Sequence, residues 1–258
     1  MTPLNIIVLF FAGMLASALN SVAGGGSFIS FPALLVLGIP PVNANTTNTV
    51  ALWPGSIASV GAYRRELESN WRTLIPLVIV SLFGGIAGAL LLLRTPQDTF
   101  ARLLPFLLAM ATLLLAFSRR ITRAVRSRNI GSSMSPRTAN ILVLTLQFFI
   151  AVYGGFFGGG IGIMMLAVMS LQGMDNIHAM NGIKTLLATV INGLAVLIFI
   201  TAGTVYWPQG LIVLGGAIVG GYGGAQLAQR FDSEQVRKFI IAIGIFMTIY
   251  FFARTYLV

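Results

Sequence analysis

The chain contains no cysteine, a single histidine (His178) and six carboxylates in 258 residues. Without cysteine there is no disulfide framework and no thiol chemistry. One histidine and six scattered carboxylates provide no His/Cys/Asp/Glu cluster at metal-ligand spacing and no serine–histidine–acid order. A membrane-embedded hydrolase or metalloenzyme would lack the residues it needs, so the expectation is a non-enzyme with no cofactor and no metal. Charge is scarce too: 9% of the residues are charged, against about a quarter in a soluble domain. So few polar side chains cannot coat a water-soluble globule. The 57% hydrophobic content and mean hydropathy of +0.90 also exclude disorder. What remains is an all-α, polytopic integral membrane protein. At roughly 20 apolar residues per span, the length allows at most about ten spans.

The net charge is +10. The basic residues stand between apolar runs with no aromatic–basic platform, so nucleic acid is not the expected partner; the lipid bilayer is. Met1 to Asn5 carry no positive n-region, and the first apolar segment reads as a retained helix rather than a cleaved signal.

Apolar runs cover Leu4 to Ala23, Phe28 to Leu37, Val42 to Ala62, Trp71 to Leu93 and Phe100 to Phe117. After a polar stretch from Arg119 to Arg137 come Ala139 to Phe157, Ile161 to Leu171, Ile177 to Ala202, Trp207 to Leu227 and Val236 to Tyr256. Both halves follow one plan: a long run, three glycines, a short run, then three long runs. Gly24-Gly25-Gly26 matches Gly158-Gly159-Gly160, Trp71 matches Trp207, and Gly84 to Ala89 matches Gly220 to Ala225, at offsets of 134 to 136 residues. The division is a first repeat over 1–118, a basic linker over 119–138 and a second repeat over 139–258. Internal duplication of this kind is how many secondary transporters are built.

Twelve of the sixteen basic residues lie in three stretches, Arg64 to Arg72, Arg119 to Arg137 and Arg230 to Lys238. Placing these in the cytoplasm puts both termini outside and makes the repeats inverted. Each short run then pairs with the long run before it as a broken or re-entrant hairpin with a glycine tip. A thin full span with a glycine loop at the surface is the alternative. Non-helical backbone at membrane depth survives only where protein buries it or where it lines a wet cavity.

The six carboxylates, Glu66, Glu68, Asp98, Asp175, Asp232 and Glu234, all read as loop residues. That removes the usual proton relay and the carboxylate-assisted sodium site. Polar residues enter the apolar runs in two groups: Asn43, Asn45, Thr46, Thr47, Asn48 and Thr49 in one half, and Asn181, Lys184, Thr185 and Asn192 in the other. Asn181, Lys184 or Thr185, and Asn192 share one helical face. A membrane lysine without a carboxylate in its run calls for an anionic ligand; snorkelling to the interface is the alternative. For Gly84, Gly85, Gly88, Gly220, Gly221 and Gly224 the reading is close helix packing. The candidate anion site lies between the two glycine tips: Gly24, Gly25, Gly26 and Ser27 on one side, Gly158, Gly159 and Gly160 on the other, beside Asn45, Thr46, Asn48, Asn181 and Lys184. Backbone N–H groups and helix starts at the tips favour negative charge.

These residues carry a resemblance. Asn20 to Ser27, Phe31-Pro32-Ala33-Leu34, Gly38-Ile39-Pro40, Ala44 to Asn48, Pro54-Gly55, Tyr63 to Leu67, Gly154 to Gly162 and Ala179 to Lys184 together resemble the TauE/SafE sulfite-exporter family over nearly the whole chain. The resemblance implies an inner-membrane permease for a small sulfur-containing anion such as sulfite, thiosulfate or a short organosulfonate, usually exported. An anion channel, or a carrier of a non-sulfur organic anion, stays open beside it. One departure is the second short run, where Met164-Met165-Leu166 has no equivalent of Pro32. No oligomeric state is legible.

Overall fold

The computed structural model describes residues 1–22, 26–62, 71–127, 135–171, 174, 177–228 and 233–257. Ten helices make up these residues: α1 (Pro3–Val22), α2 (Ser27–Val36), α3 (Pro41–Ala62), α4 (Trp71–Arg94), α5 (Gln97–Ser127), α6 (Pro136–Phe156), α7 (Ile161–Leu171), α8 (Ile177–Thr201), α9 (Trp207–Ala228) and α10 (Ser233–Tyr256). Among the described residues there is no strand. Six helices (α1, α4, α5, α6, α8 and α10) are long and apolar enough to cross a membrane. At 1.5 Å per residue, α2 and α7 are about 15 and 16 Å long, half a hydrocarbon core.

The helices start and stop where the chemistry asks. Ser135 caps α6 by accepting from Thr138 N at 3.2 Å, with Pro136 in the first helical position. Proline loses nothing there, because that N–H has no intrahelical partner. In the sequence Ser135-Pro136 belongs to the polar stretch between the halves; in the fold this pair is the helix start itself. Asp98 and Glu234 likewise fall in the first turns of α5 and α10 rather than in loops, where a carboxylate faces the positive end of the helix dipole. Glu66, Glu68, Asp175 and Asp232 lie outside the described residues. The fifth apolar run ends at Phe117, yet α5 runs on to Ser127 through the start of the basic stretch. Nothing between Ser118 and Ser127 breaks a helix, since the segment has neither glycine nor proline. The Arg120 guanidinium lies over the Phe117 ring, 5.6 Å from its centroid, at the point where apolar gives way to basic.

The packing joins the two halves throughout. α1 lies on α9 and α6 on α4; α3 lies on α9 and α8 on α4; α2 touches α1, α3 and α10, and α7 touches α6, α8 and α5. These contacts map onto one another when each of the first five helices is exchanged for the helix five places later. α3 on α8 and α5 on α10 close the set.

Glycines make the tightest crossings, as the packing reading expects. A Cβ built at Gly88 on α4 would lie 2.0 Å from the Val152 carbonyl oxygen of α6, and one at Gly220 on α9 would lie 1.9 Å from that of Met14 on α1. In lipid, where tails are as apolar as leucine, such close approach is what drives helices together. Gln147 on α6 adds a buried hydrogen bond to Ser81 Oγ on α4 at 2.8 Å.

The interior holds two apolar clusters. One is built around Leu9, Phe31, Leu34, Phe100 and Phe199, the other around Leu74, Met165, Met180, Ile183 and Leu187. The outside is apolar too, with Phe83, Phe149, Phe246 and Ile249 more than 60% exposed. Such a surface suits acyl chains and not water.

Candidate functional site

The site begins at α3, whose first turns carry Asn43, Asn45, Thr46, Thr47, Asn48 and Thr49. Their exposures and partners divide them into two sets. Asn45 and Asn48 point inward and are buried. Asn45 Nδ2 donates to the Phe156 carbonyl, the last residue of α6, at 3.0 Å. Asn48 Oδ1 accepts from Ser30 Oγ on α2, and the same hydroxyl lies 3.4 Å from the Gly26 carbonyl. Gly26 N in turn donates to Asn20 Oδ1 at 2.9 Å. Asn48 is thereby tied to the end of the first glycine tip, and Ser27 opens α2 beside it. Gly24 and Gly25 lie outside the described residues.

Thr46 is buried as well, but its hydroxyl faces the Asn43 and Thr204 carbonyls at 3.0 and 3.1 Å. It braces the start of α3 against the α8–α9 connection.

The second tip is fully described. α6 stops at Phe156, and both Phe157 N and Gly158 N turn back to the Tyr153 carbonyl, at 2.8 and 3.2 Å. Gly158 and Gly160 have φ of +83° and +77°, a left-handed backbone that strains any residue with a Cβ. Gly159 is pressed between the Phe157 ring and Ala111, and Gly160 faces Ala111 and Leu114 of α5. Ala111 is about 21 Å along α5 from Gln97 at 1.5 Å per residue, so this non-helical turn packs against α5 within the Gln97–Ser118 stretch that is long and apolar enough to cross a membrane. Its Phe157 ring meets Phe31 of α2 edge-on at 6.0 Å.

Lys184 and Asn181, one turn apart on α8, come together: Nζ donates to Asn181 Oδ1 at 3.1 Å. The lysine stem lies along Gly162, the second residue of α7, where a Cβ would come within 3.0 Å of Cδ. Asn45 therefore holds one flank of the Gly158–Gly160 turn and Lys184 sits on the other. The ammonium and the start of α7 add potentials of the same sign, and among the described residues the hydrogen-bond partner of the lysine is a neutral amide. Thr185 and Thr189 spend their hydroxyls on the Asn181 and Thr185 carbonyls, both at 2.8 Å. Trp53 of α3 crosses α8 there, donating from Nε1 to the Thr189 carbonyl at 3.0 Å. The side chain of His178 lies outside the described residues.

Sequence reasoning passed over Ser30, Gln97 and Trp53. Ser30 is a lone polar residue in a short apolar run, which is a usable signal. Gln97 sits at a helix start and carries none.

An all-helical bundle with six helices long and apolar enough to cross a membrane, and a glycine turn flanked by Asn45 and Lys184, is a multi-pass membrane protein of transporter type. The model of the family described as "Sulfite exporter TauE/SafE" matches residues 9–251. The chain belongs to this family. Among its relatives is the "Probable membrane transporter protein YfcA" of Escherichia coli, 31% identical over 96% of this chain and 89% of that protein. A "Probable membrane transporter protein" of Haemophilus influenzae is 28% identical over 94% and 92%, and "Probable membrane transporter protein ORF9" of Sinorhizobium is 29% identical over 93% and 90%. No solved structure matches the chain.

Proposed function

We propose that the protein is a permease, not an enzyme, that moves a small sulfur-containing anion across the inner membrane, in the export direction. Its halves act as inverted repeats of about five segments each, with α1–α2 and α6–α7 as re-entrant hairpins entering from opposite sides. The anion sits between the glycine tips. It is held at the glycine tips, Gly24 to Ser27 and Gly158 to Gly160, by the Asn45, Asn48 and Asn181 amides and by the Lys184 ammonium, while Thr46 braces the start of α3. The observation that carries this reading is Lys184 beside the start of α7, with a neutral amide as its hydrogen-bond partner. A pyramidal or tetrahedral oxyanion takes donors from several directions, and it supplies the counter-charge that no described residue gives Lys184. The family description supports sulfur as the element.

The test is thermal unfolding of the purified protein with sulfite, thiosulfate, sulfoacetate, sulfate, taurine or acetate. A true substrate at a hundred times its Kd stabilises by about 2.7 kcal/mol. Sulfite, thiosulfate or sulfoacetate should do this and acetate should not. Equal stabilisation by acetate overturns the sulfur assignment, and no response to any anion overturns the site.

The topology in this proposal has both termini outside and the 119–138 stretch in the cytoplasm. In this cysteine-free chain, Thr2→Cys should react with an impermeant maleimide added to intact cells. Ser132→Cys should react only after the membrane is opened; reaction from outside reverses the assignment.

A further inference from the structure

Individual contacts between the helices repeat at the level of single residues. Gly220 faces the Met14 carbonyl, and their counterparts at offsets of 136 and 134, Gly84 and Phe148, make the same approach: a Cβ at Gly84 would lie 2.7 Å from the Phe148 carbonyl oxygen. Thr49 Oγ1 donates to the Asn45 carbonyl at 2.9 Å, and its counterpart Thr185 donates to the Asn181 carbonyl at 2.8 Å. A twofold relation of this kind has an axis, and a residue that touches its own counterpart lies on it. Trp53 is such a residue. Its counterpart at the 136 offset is Thr189, whose carbonyl accepts Trp53 Nε1 at 3.0 Å. The indole also covers Gly193 of α8, where a Cβ would come within 3.1 Å of Cζ2.

α3 and α8 pass this point in opposite directions. The start of α3 meets the far end of α8: Asn43 Nδ2 donates to the Thr204 carbonyl at 2.8 Å, and Thr47 Oγ1 accepts from Tyr206 N at 3.0 Å. Gln97 fixes that end by donating from Nε2 to Asn43 Oδ1 at 2.8 Å. Asn48 stands five residues before Trp53, and Lys184 stands five before Thr189. At 1.5 Å per residue each is about 7.5 Å from the axis, on opposite sides, so the two are about 15 Å apart along the helix pair. A hydrogen bond spans about 3 Å, and one small oxyanion cannot take both residues at once. Asn48 and Lys184 are themselves counterparts at the 136 offset, and their settings correspond. Asn48 meets Ser30 of α2, and Lys184 lies along Gly162 of α7, the equivalent short helix. In each place an asparagine oxygen is already occupied, Asn48 Oδ1 by the Ser30 hydroxyl and Asn181 Oδ1 by the Lys184 ammonium. What each amide then offers a ligand is its N–H donors.

We infer that the anion has two stations on opposite sides of Trp53: a charged one at Lys184 and Asn181, and a second, neutral one at Asn48 beside Ser30. This rests on the anion reading of the site and divides the donors assigned there into two sets, which the anion meets in turn. Lys184 makes the first station the tighter of the two.

The test moves the charge from one station to its counterpart. Lys184→Met weakens sulfoacetate binding, measured by calorimetry on the purified protein. Adding Asn48→Lys should recover tenfold or more of the lost affinity, the size of one charge-assisted contact. Should the lysine disturb folding, the charge is added afterwards. Lys184→Met with Asn48→Cys, reacted with aminoethyl methanethiosulfonate, carries an ammonium on a side chain of nearly lysine length, and methyl methanethiosulfonate gives the neutral control. The first reagent should strengthen sulfoacetate binding tenfold or more and the second should not. No gain from the ammonium in protein that stays monodisperse overturns the second station. A cysteine at position 48 that fails to react overturns it too, because a station visited by an anion is open to water, and a thiol in reach of water forms the reactive thiolate. If Lys184→Met binds sulfoacetate as tightly as the unaltered protein, the anion reading itself fails, and the reactivity of Asn48→Cys still decides whether water reaches this place.

Discussion

Lys184→Met binds sulfite or thiosulfate ten- to a hundredfold more weakly than the unaltered protein, and it still folds and inserts. Methionine keeps an unbranched apolar stem to lie along Gly162, so packing beside the start of α7 survives and only the ammonium is lost. A charge-assisted hydrogen bond contributes about 1.5–3 kcal/mol, which sets the size of the effect. Asn181→Leu should give a smaller loss, because its amide orients Nζ at 3.1 Å and carries no charge. Titration of detergent-purified variants by intrinsic fluorescence or calorimetry measures both. The competing account has Lys184 snorkelling to the interface, which leaves affinity unchanged. A wild-type Kd for Lys184→Met would establish that account and remove the lysine from the site.

Gly220→Ala and Gly215→Ala, five residues apart on α9, change stability in opposite directions. Alanine favours a helix over glycine by up to about 1 kcal/mol, so propensity alone makes both substitutions stabilising. At Gly215 the nearest atom to a new Cβ is the tip of the Phe10 ring at 4.0 Å, and the propensity gain is realised. At Gly220 the Cβ would fall 1.9 Å from the Met14 carbonyl oxygen, with Met14 C and Cα within 2.7 Å. Backbone cannot swing aside as a side chain can, so α1 and α9 must part. Overpacking of this kind costs about 1–3 kcal/mol. Thermal unfolding in detergent should place Gly220→Ala below the unaltered protein and Gly215→Ala level with it or above. If Gly220→Ala is not destabilised, α1 and α9 do not approach as described.

Much of this was legible in the sequence because it depends on composition and period. The membrane class follows from the shortage of charge, and nearly every helix end falls within a few residues of the apolar run that predicts it. α5 is the exception. The change from apolar to basic at Phe117 marks where the hydrocarbon should end, but a helix is indifferent to that boundary while nothing in the chain breaks it. The pairing of Asn181 with Lys184 was legible too, since residues one turn apart on a helix face the same way.

The division of labour on α3 was not legible. Asn45 and Thr46 are adjacent polar residues in the same run. One reaches the Phe156 carbonyl and the other the Thr204 carbonyl. Both acceptors are backbone oxygens more than a hundred positions away, and every residue in the chain has one, so no residue type announces the partner. Gly215 and Gly220 are likewise the same letter in the same helix, told apart only by what α1 brings against them.

The sequence by itself determined that this is a helical membrane protein, in what order its helices run and which polar residues enter them, because each of these depends on side-chain chemistry and spacing within a short stretch. Only the tertiary structure decided which asparagine flanks the glycine turn, which polar groups tie the α3 end and which glycines tolerate a methyl. Those depend on backbone atoms from distant segments, whose positions no local pattern records.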